Sequence, residues 1–237
     1  MKTWSAALTV GLSLAAFLHP AAAQQRPPVV TEEASVPSGE PGIDIYVRNK
    51  HPAAMAQPAP ERTLLFVHGA TYPASTAFDL MLDGTSFMQD LAEHGFDVWL
   101  MDLPGYGRST RPAAMEQPAA ENPPIETTAD AVRHYGAVAD YVLKRRGLSR
   151  LDVMGWSWGT TIAAGFATAA PEKVERLVLY APIWIVRGEV AALGGQAKLG
   201  AYRTVTAASA RQRWYTGVAP DQRDTLGGVD GIPDMRF

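Results

Sequence analysis

The chain has 237 residues, 47% of them hydrophobic and 19% charged, enough for one globular domain with a sizeable core and too few for two full ones. A net charge of -3, with lysine and arginine scattered along the sequence, argues against a nucleic-acid partner; the densest basic cluster, Lys144, Arg145 and Arg146, falls where a helix end favours cations. Cysteine does not occur, which excludes disulfides, a thiol nucleophile and a cysteine-based metal site.

The N-terminus reads MKTWSAALTVGLSLAAFLHPAAAQQ, with one lysine, an apolar run from Ala6 to Leu18, Pro20, and then Ala21 to Ala23 before Gln24. This pattern is that of a secretory signal peptide over residues 1–23 with an A-x-A cleavage site, and it predicts export to the periplasm or beyond. The apolar run is shorter than the roughly 20 residues that span a bilayer, so no stable membrane anchor is expected. His19 lies in this segment.

From Gln24 to Pro60 the sequence is rich in Pro and Ala, with strand-like pieces at Val29 to Thr31 and at Ile43 to Val47, read as edge strands. TLLFVHG, from Thr63, is a continuous apolar run stopping at a glycine, as expected of a parallel strand buried on both faces. Phe87 to His94 reads as a helix closed by Gly95, and Asp97 to Met101 as the next strand, leading into DLPGYGRS. Thr127 and Asp130 form a T-x-x-D capping box, after which Ala131, Tyr135, Val138, Ala139 and Val142 share one helical face up to Gly147. LDVMG is a further short strand, SWGTTIAAGFATAAP a small-residue helix, and ERLVLYAP another strand. Strands alternating with helices predict an α/β fold with a doubly wound, mostly parallel sheet. After Pro182 the periodicity fades, and residues 183–237 read as the start of a cap-like insertion following a core at 24–182.

The chemistry concentrates in Gly155-Trp156-Ser157-Trp158-Gly159. A G-x-S-x-G turn from strand into helix needs glycine where a Cβ would collide with the neighbouring backbone, and it lifts the serine hydroxyl above the sheet at a helix N-terminus that favours developing negative charge. The pentapeptide alone is a weak signal. Its context, LDVM before and TTIAAGFA after, is the one the motif requires.

With VHGA after one strand, DLPGYGRS after the next and GWSWG at the turn, the stretch from about Ile43 to Pro182 resembles the α/β-hydrolase family. The resemblance implies Ser157 as nucleophile on a nucleophile elbow and the backbone amides of Ala70 and Trp158 as oxyanion donors. It also implies that His68 shapes the oxyanion loop rather than acting as base. A serine in place of aspartate argues against the dehalogenase and epoxide hydrolase branches and for acyl transfer, and GWSWG is also similar to the proline-iminopeptidase branch.

The remaining candidates carry bland readings. His94 and His134 sit in helices as surface or packing residues, His51 lies in a Pro-rich stretch, Asp102 is expected to fix the PGYG turn by accepting N–H bonds, and Trp156 and Trp158 are first of all packing rings. The resembling family orders its triad as Ser, acid, His. No histidine follows Ser157 in this sequence, and Asp221, Asp224, Asp230 and Asp234 lie in a stretch with no predicted strand before them. The expectation is therefore an exported serine hydrolase of a carboxylic ester or amide, with a small-molecule substrate and with neither cofactor nor metal, truncated at its C-terminal end and inactive as written. The alternative is a non-catalytic or binding member of the same fold.

Overall fold

The computed structural model describes residues 26–183, 199–226 and 235–236. The signal-peptide expectation for 1–23, and Asp230 and Asp234, lie outside them. No helix among the described residues is long and apolar enough to cross a membrane.

Strands β1 (Val29–Pro37), β2 (Asp44–Pro52), β3 (Thr63–Val67), β4 (Asp97–Met101), β5 (Leu151–Trp156) and β6 (Val174–Tyr180) form one sheet in the order β1-β2-β4-β3-β5-β6. The four strands from β4 to β6 in that order are parallel, while β1–β2 and β2–β4 are antiparallel. The order places β3 between β4 and β5, so the connection from β4 to β5 passes over β3, and the loops leaving β3 and β5 emerge side by side.

The alternation of side chains along the central strands divides the core. Leu65, Val67, Trp99, Met101 and Val153 point to one face, where they pack against helices α3 (Thr128–Arg146) and α4 (Trp158–Ala169). Leu64, Phe66, Val98, Leu100 and Met154 point to the other, beneath the short helices α1 (Ala74–Ala77) and α2 (Phe87–Glu93). Helices on both faces explain why β3 and β4 are apolar at successive positions and fully buried. The sequence therefore gives an α/β architecture with a doubly wound, mostly parallel sheet.

Local signals act as their chemistry requires. Thr127 caps α3 and Asp130 returns the bond in a complete capping box, and Gly147 closes the helix at φ 66°. At the opposite end of that helix Arg146 enters the sheet: its guanidinium meets both carboxylate oxygens of fully buried Asp97 at 2.8 Å, and Asn49 and the Trp99 indole donate to the same carboxylate. Every polar member of this buried cluster has a partner, which is the condition under which buried charge is tolerated.

Two sequence expectations change. The two N-terminal strands run longer than the apolar residues alone suggest, and only β1 is an edge, because β2 pairs with β4 through Val47 opposite Met101. A two-residue strand β7 (Thr204–Val205) precedes Asp221, pairing with β8 (Met235–Arg236) in a separate small sheet, with α5 (Ala207–Trp214) and a 3-10 helix at Pro220–Leu226 between them. Of the two readings open for His134, surface or packing, it takes the second, buried within an acidic cluster.

Candidate active site

Ser157 stands between β5 and α4 with φ 55° and ψ -120°. A positive φ is disfavoured for any residue with a Cβ and costs on the order of 1–3 kcal/mol, so it persists only where the surroundings impose it. Here they do: the Ser157 amide donates to Tyr180 O at 3.0 Å, and its carbonyl accepts from the Thr160 amide at 2.9 Å and the Thr160 hydroxyl at 2.6 Å.

The glycines around this turn are required sterically. A Cβ on Gly155 would collide with the Gly159 carbonyl, and one on Gly159 would lie 2.5 Å from Val67 O and 2.6 Å from His68 O. A Cβ on Gly69 would come within 3.0 Å of Ser157 Cβ and 3.4 Å of its Oγ. Three glycines thus allow the exit of β3, the strained serine and the first turn of α4 to converge.

Ala70 follows Gly69 on the loop from β3, and Trp158 opens α4, where helical geometry leaves the first amides without intrahelical partners. Neither amide donates to another described residue. The Ala70 carbonyl, in contrast, is held: Arg203 Nη2 donates to it at 2.7 Å and to Thr71 Oγ1 at 3.2 Å. No sequence signal pointed to Arg203, which stands in the weakly periodic stretch after Pro182.

His68 is fully buried and has both ring nitrogens occupied. The Leu103 amide donates to Nε2 at 3.0 Å, which places the ring proton on Nδ1, and Nδ1 donates to Gly69 O at 2.6 Å. Burial lowers its pKa, against the pull of the Asp102 charge. A ring so engaged braces the loop and has no lone pair to offer a serine. Tyr106 packs against it with ring centroids 4.5 Å apart.

Asp102 fixes the neighbouring turn. Its carboxylate accepts from the amides of Ser75 and Arg108 and from the Ser75 hydroxyl, so it ties the PGYG loop to the start of α1.

The other described histidines lie elsewhere. His51 bonds Pro52 O on β2, and exposed His94 bonds Asp90 O in the last turn of α2. His134 Nδ1 donates to Glu126 Oε1 at 2.8 Å, and its Nε2 faces Glu40 Oε1 at 3.3 Å. Burial works against the charged ring, but Glu126 and Glu40 outweigh it and raise its pKa; Glu126 is itself raised by burial. None of these rings hydrogen-bonds Ser157 among the described residues. The Glu126–His134 pair escaped the sequence reading because Glu126 precedes the helix that carries His134, and no helical spacing connects them.

Trp158 is half-buried, packs against the α3–α4 side of the core and donates its indole N–H to Thr128 Oγ1 at 3.0 Å; Trp156 packs on the opposite side. A polar cleft of about 450 Å³ lined by Glu33, Tyr46, Arg108 and Thr110 includes none of Ser157, Ala70 and Trp158.

Comparison with known proteins follows the same lines. The structure is similar to a predicted CIB-like hydrolase from Thermoplasma acidophilum (19% identity, TM-score 0.46, covering 73% of this chain and 72% of that one). It is also similar to the epoxide hydrolase VrEH1 from Vigna radiata (18%, 0.46, 68% and 40%). A third likeness is to 2-hydroxy-6-oxo-6-phenylhexa-2,4-dienoate hydrolase from Rhodococcus sp. strain RHA1 (18%, 0.49, 70% and 52%). The chain thus spans 40% and 52% of the lengths of the last two. A search of curated proteins gives no match. Residues 62–211 match the family described as alpha/beta hydrolase fold; that match takes in β3, the serine turn and the segment bearing Arg203, and the chain belongs to the alpha/beta hydrolase fold family.

Proposed function

We propose that the chain carries the nucleophile and oxyanion half of a serine hydrolase acting on a carboxylic ester, with an amide as the harder substrate of the same chemistry. The observation that carries this reading is the forced φ of 55° at Ser157, on a turn where three glycines let the exit of β3, the serine and the first turn of α4 converge. In this reading Ser157 Oγ attacks the acyl carbon as its proton leaves to a base. The carbonyl oxygen becomes an oxyanion facing the two amides, the alcohol departs, and water cleaves the acyl-serine ester. A main-chain donor of this kind supplies about 3–4 kcal/mol of transition-state stabilisation.

The base belongs to no described residue. His68 is engaged at both nitrogens, and the last histidine of the sequence is His134, so no histidine follows Ser157 in the order of the family. The competing reading, a non-catalytic member of the fold, is favoured by the same lack of a base. Export, predicted from the N-terminal residues, belongs with the enzyme reading as a further proposal, and protein from the cell envelope beginning at Gln24 is its expected form.

Labelling with a fluorophosphonate tests the nucleophile. In a product extended by an acid and a histidine, the expected result is a single adduct on the Ser157 peptide by mass spectrometry, lost in Ser157→Ala with the thermal unfolding midpoint retained. An adduct elsewhere, or equal labelling of the variant, overturns the reading. Turnover of a short-chain nitrophenyl ester by this chain equal to that of a product extended by an acid and a histidine would show that the base lies within Met1–Phe237.

A further inference from the structure

We infer that Arg203 is a positioning residue for the oxyanion site: its guanidinium clamps the Ala70 peptide so that the Ala70 amide is held toward Ser157. The inference rests on the proposed role of Ser157 and deepens it.

The first observation is the bond itself. Arg203 Nη2 reaches Ala70 O at 2.7 Å and Thr71 Oγ1 at 3.2 Å across 133 residues of sequence. A charged donor at that distance makes a bond roughly twice as strong as a neutral one. It fixes one end of Ala70, while His68 Nδ1, by donating to Gly69 O at 2.6 Å, fixes the peptide on the other side. The Ala70 amide therefore sits between two anchored carbonyls and has little freedom to turn.

The second observation is that Arg203 is delivered on a docked support. Ala201 donates its amide to Ala119 O at 2.8 Å and accepts from the Ile125 amide at 3.2 Å, and the Tyr202 hydroxyl donates to Gln117 O at 3.0 Å. A Cβ on Gly200 would collide with the Ala119 carbonyl. Residues 200–202 are thus pressed against the loop between β4 and α3, and the arginine that follows is half-buried, its pKa lowered by that burial. An arginine held this way sets the oxyanion loop from a segment that lies beyond the core strands in sequence, so arrival of that segment completes the site.

Arg203→Met removes the clamp and keeps the apolar stem of the side chain. In fluorophosphonate inactivation of the product extended by an acid and a histidine, where the Ser157 Oγ–P bond forms, P–F breaks with release of fluoride and the serine proton passes to the supplied histidine, the expected effect is a fall in the maximal inactivation rate of about tenfold to a hundredfold. The half-saturating concentration of the probe should stay unchanged, Arg203→Lys should lie between, and added guanidinium ion should partly restore the rate. By nitrogen-15 relaxation, the Ala70 amide should lose order in Arg203→Met. An unchanged rate in a labelled protein, or a loss that falls on probe binding and is not restored by guanidinium, overturns the clamp. Should Ser157 not label even in the natural protein, its proposed role fails while the clamp is judged by Ala70 order alone: a fall supports it and no change overturns it. If Arg203→Met does not fold, Arg203→Lys carries the same readouts.

Discussion

At the scale of single residues, the site is governed by what cannot be placed there. Gly159 has no room for a methyl group, since a Cβ would lie 2.5 Å from one backbone carbonyl and 2.6 Å from a second, and neither strand nor helix N-terminus can retreat without moving Ser157. Overpacking a well-filled site costs typically 1–3 kcal/mol, and backbone cannot yield as a side-chain tip does. Gly159→Ala is therefore expected at the upper end of that range, about 3 kcal/mol. Gly136→Ala, whose Cβ would meet the Phe166 ring at an ordinary 3.7 Å, should be tolerated. Urea unfolding of both variants checks this, and equal midpoints would remove the steric account of the turn. Ser157 itself holds a conformation that glycine would adopt freely, and its proposed role as nucleophile would account for a hydroxyl at that position.

At the scale of an element, α3 carries a titrating device. His134, in its second turn, is enclosed by Glu126 and Glu40, with Asp130 and Arg133 beside it on the same helix. Both Glu126 and His134 have raised pKa values, the first through burial and the second because the two carboxylates outweigh burial. The folded chain thus holds protons that the unfolded chain has released, above 4.5 for Glu126 and above 6.5 for His134. The stability from His134 is fully present below its unfolded value and is lost as pH rises through its raised folded value. The free energy of unfolding should accordingly fall as pH rises above 6.5 and through the raised folded value of His134. Glu126→Gln removes the nearer carboxylate, leaves burial to oppose the charged ring, and should flatten that fall. Parallel slopes for natural protein and variant would show that the pair is not linked to folding.

At the scale of the whole molecule, the sheet is asymmetric. One edge, β1, is a long strand that carries Glu32 on one face, paired with Arg145, and Glu33 on the other, paired with Arg48 and Arg108, a charged edge that resists pairing with another chain. The other, β6, is the last strand of the sheet among the described residues, and Leu177, Val178, Leu179 and Tyr180 are each exposed by 40–59%. A flat, apolar, unpaired strand is a template for association. The chain from Gln24 to Phe237 is expected to self-associate, and Val178→Lys to reduce that association. Light scattering after size exclusion gives the mass directly; a monomer in both cases would show that β6 is covered.

How much of this was legible in the sequence follows from the range of each interaction. Apolar runs at Thr63 and Asp97, the Thr127–Asp130 box, the glycine stops at Gly95 and Gly147 and the GWSWG turn act through neighbours a few residues away. They named the core elements, the family and the serine. The pairing of β2 with β4 was missed because burial against a distant strand, rather than local alternation, makes β2 long; its Asn49 and Lys50 are buried by partners far along the chain. The occupied nitrogens of His68, the acid pair around His134 and the reach of Arg203 to Ala70 each join residues from separate loops. Local periodicity holds no record of them, because a hydrogen bond between segments that meet only after the sheet has assembled leaves the spacing of residues in the chain unchanged.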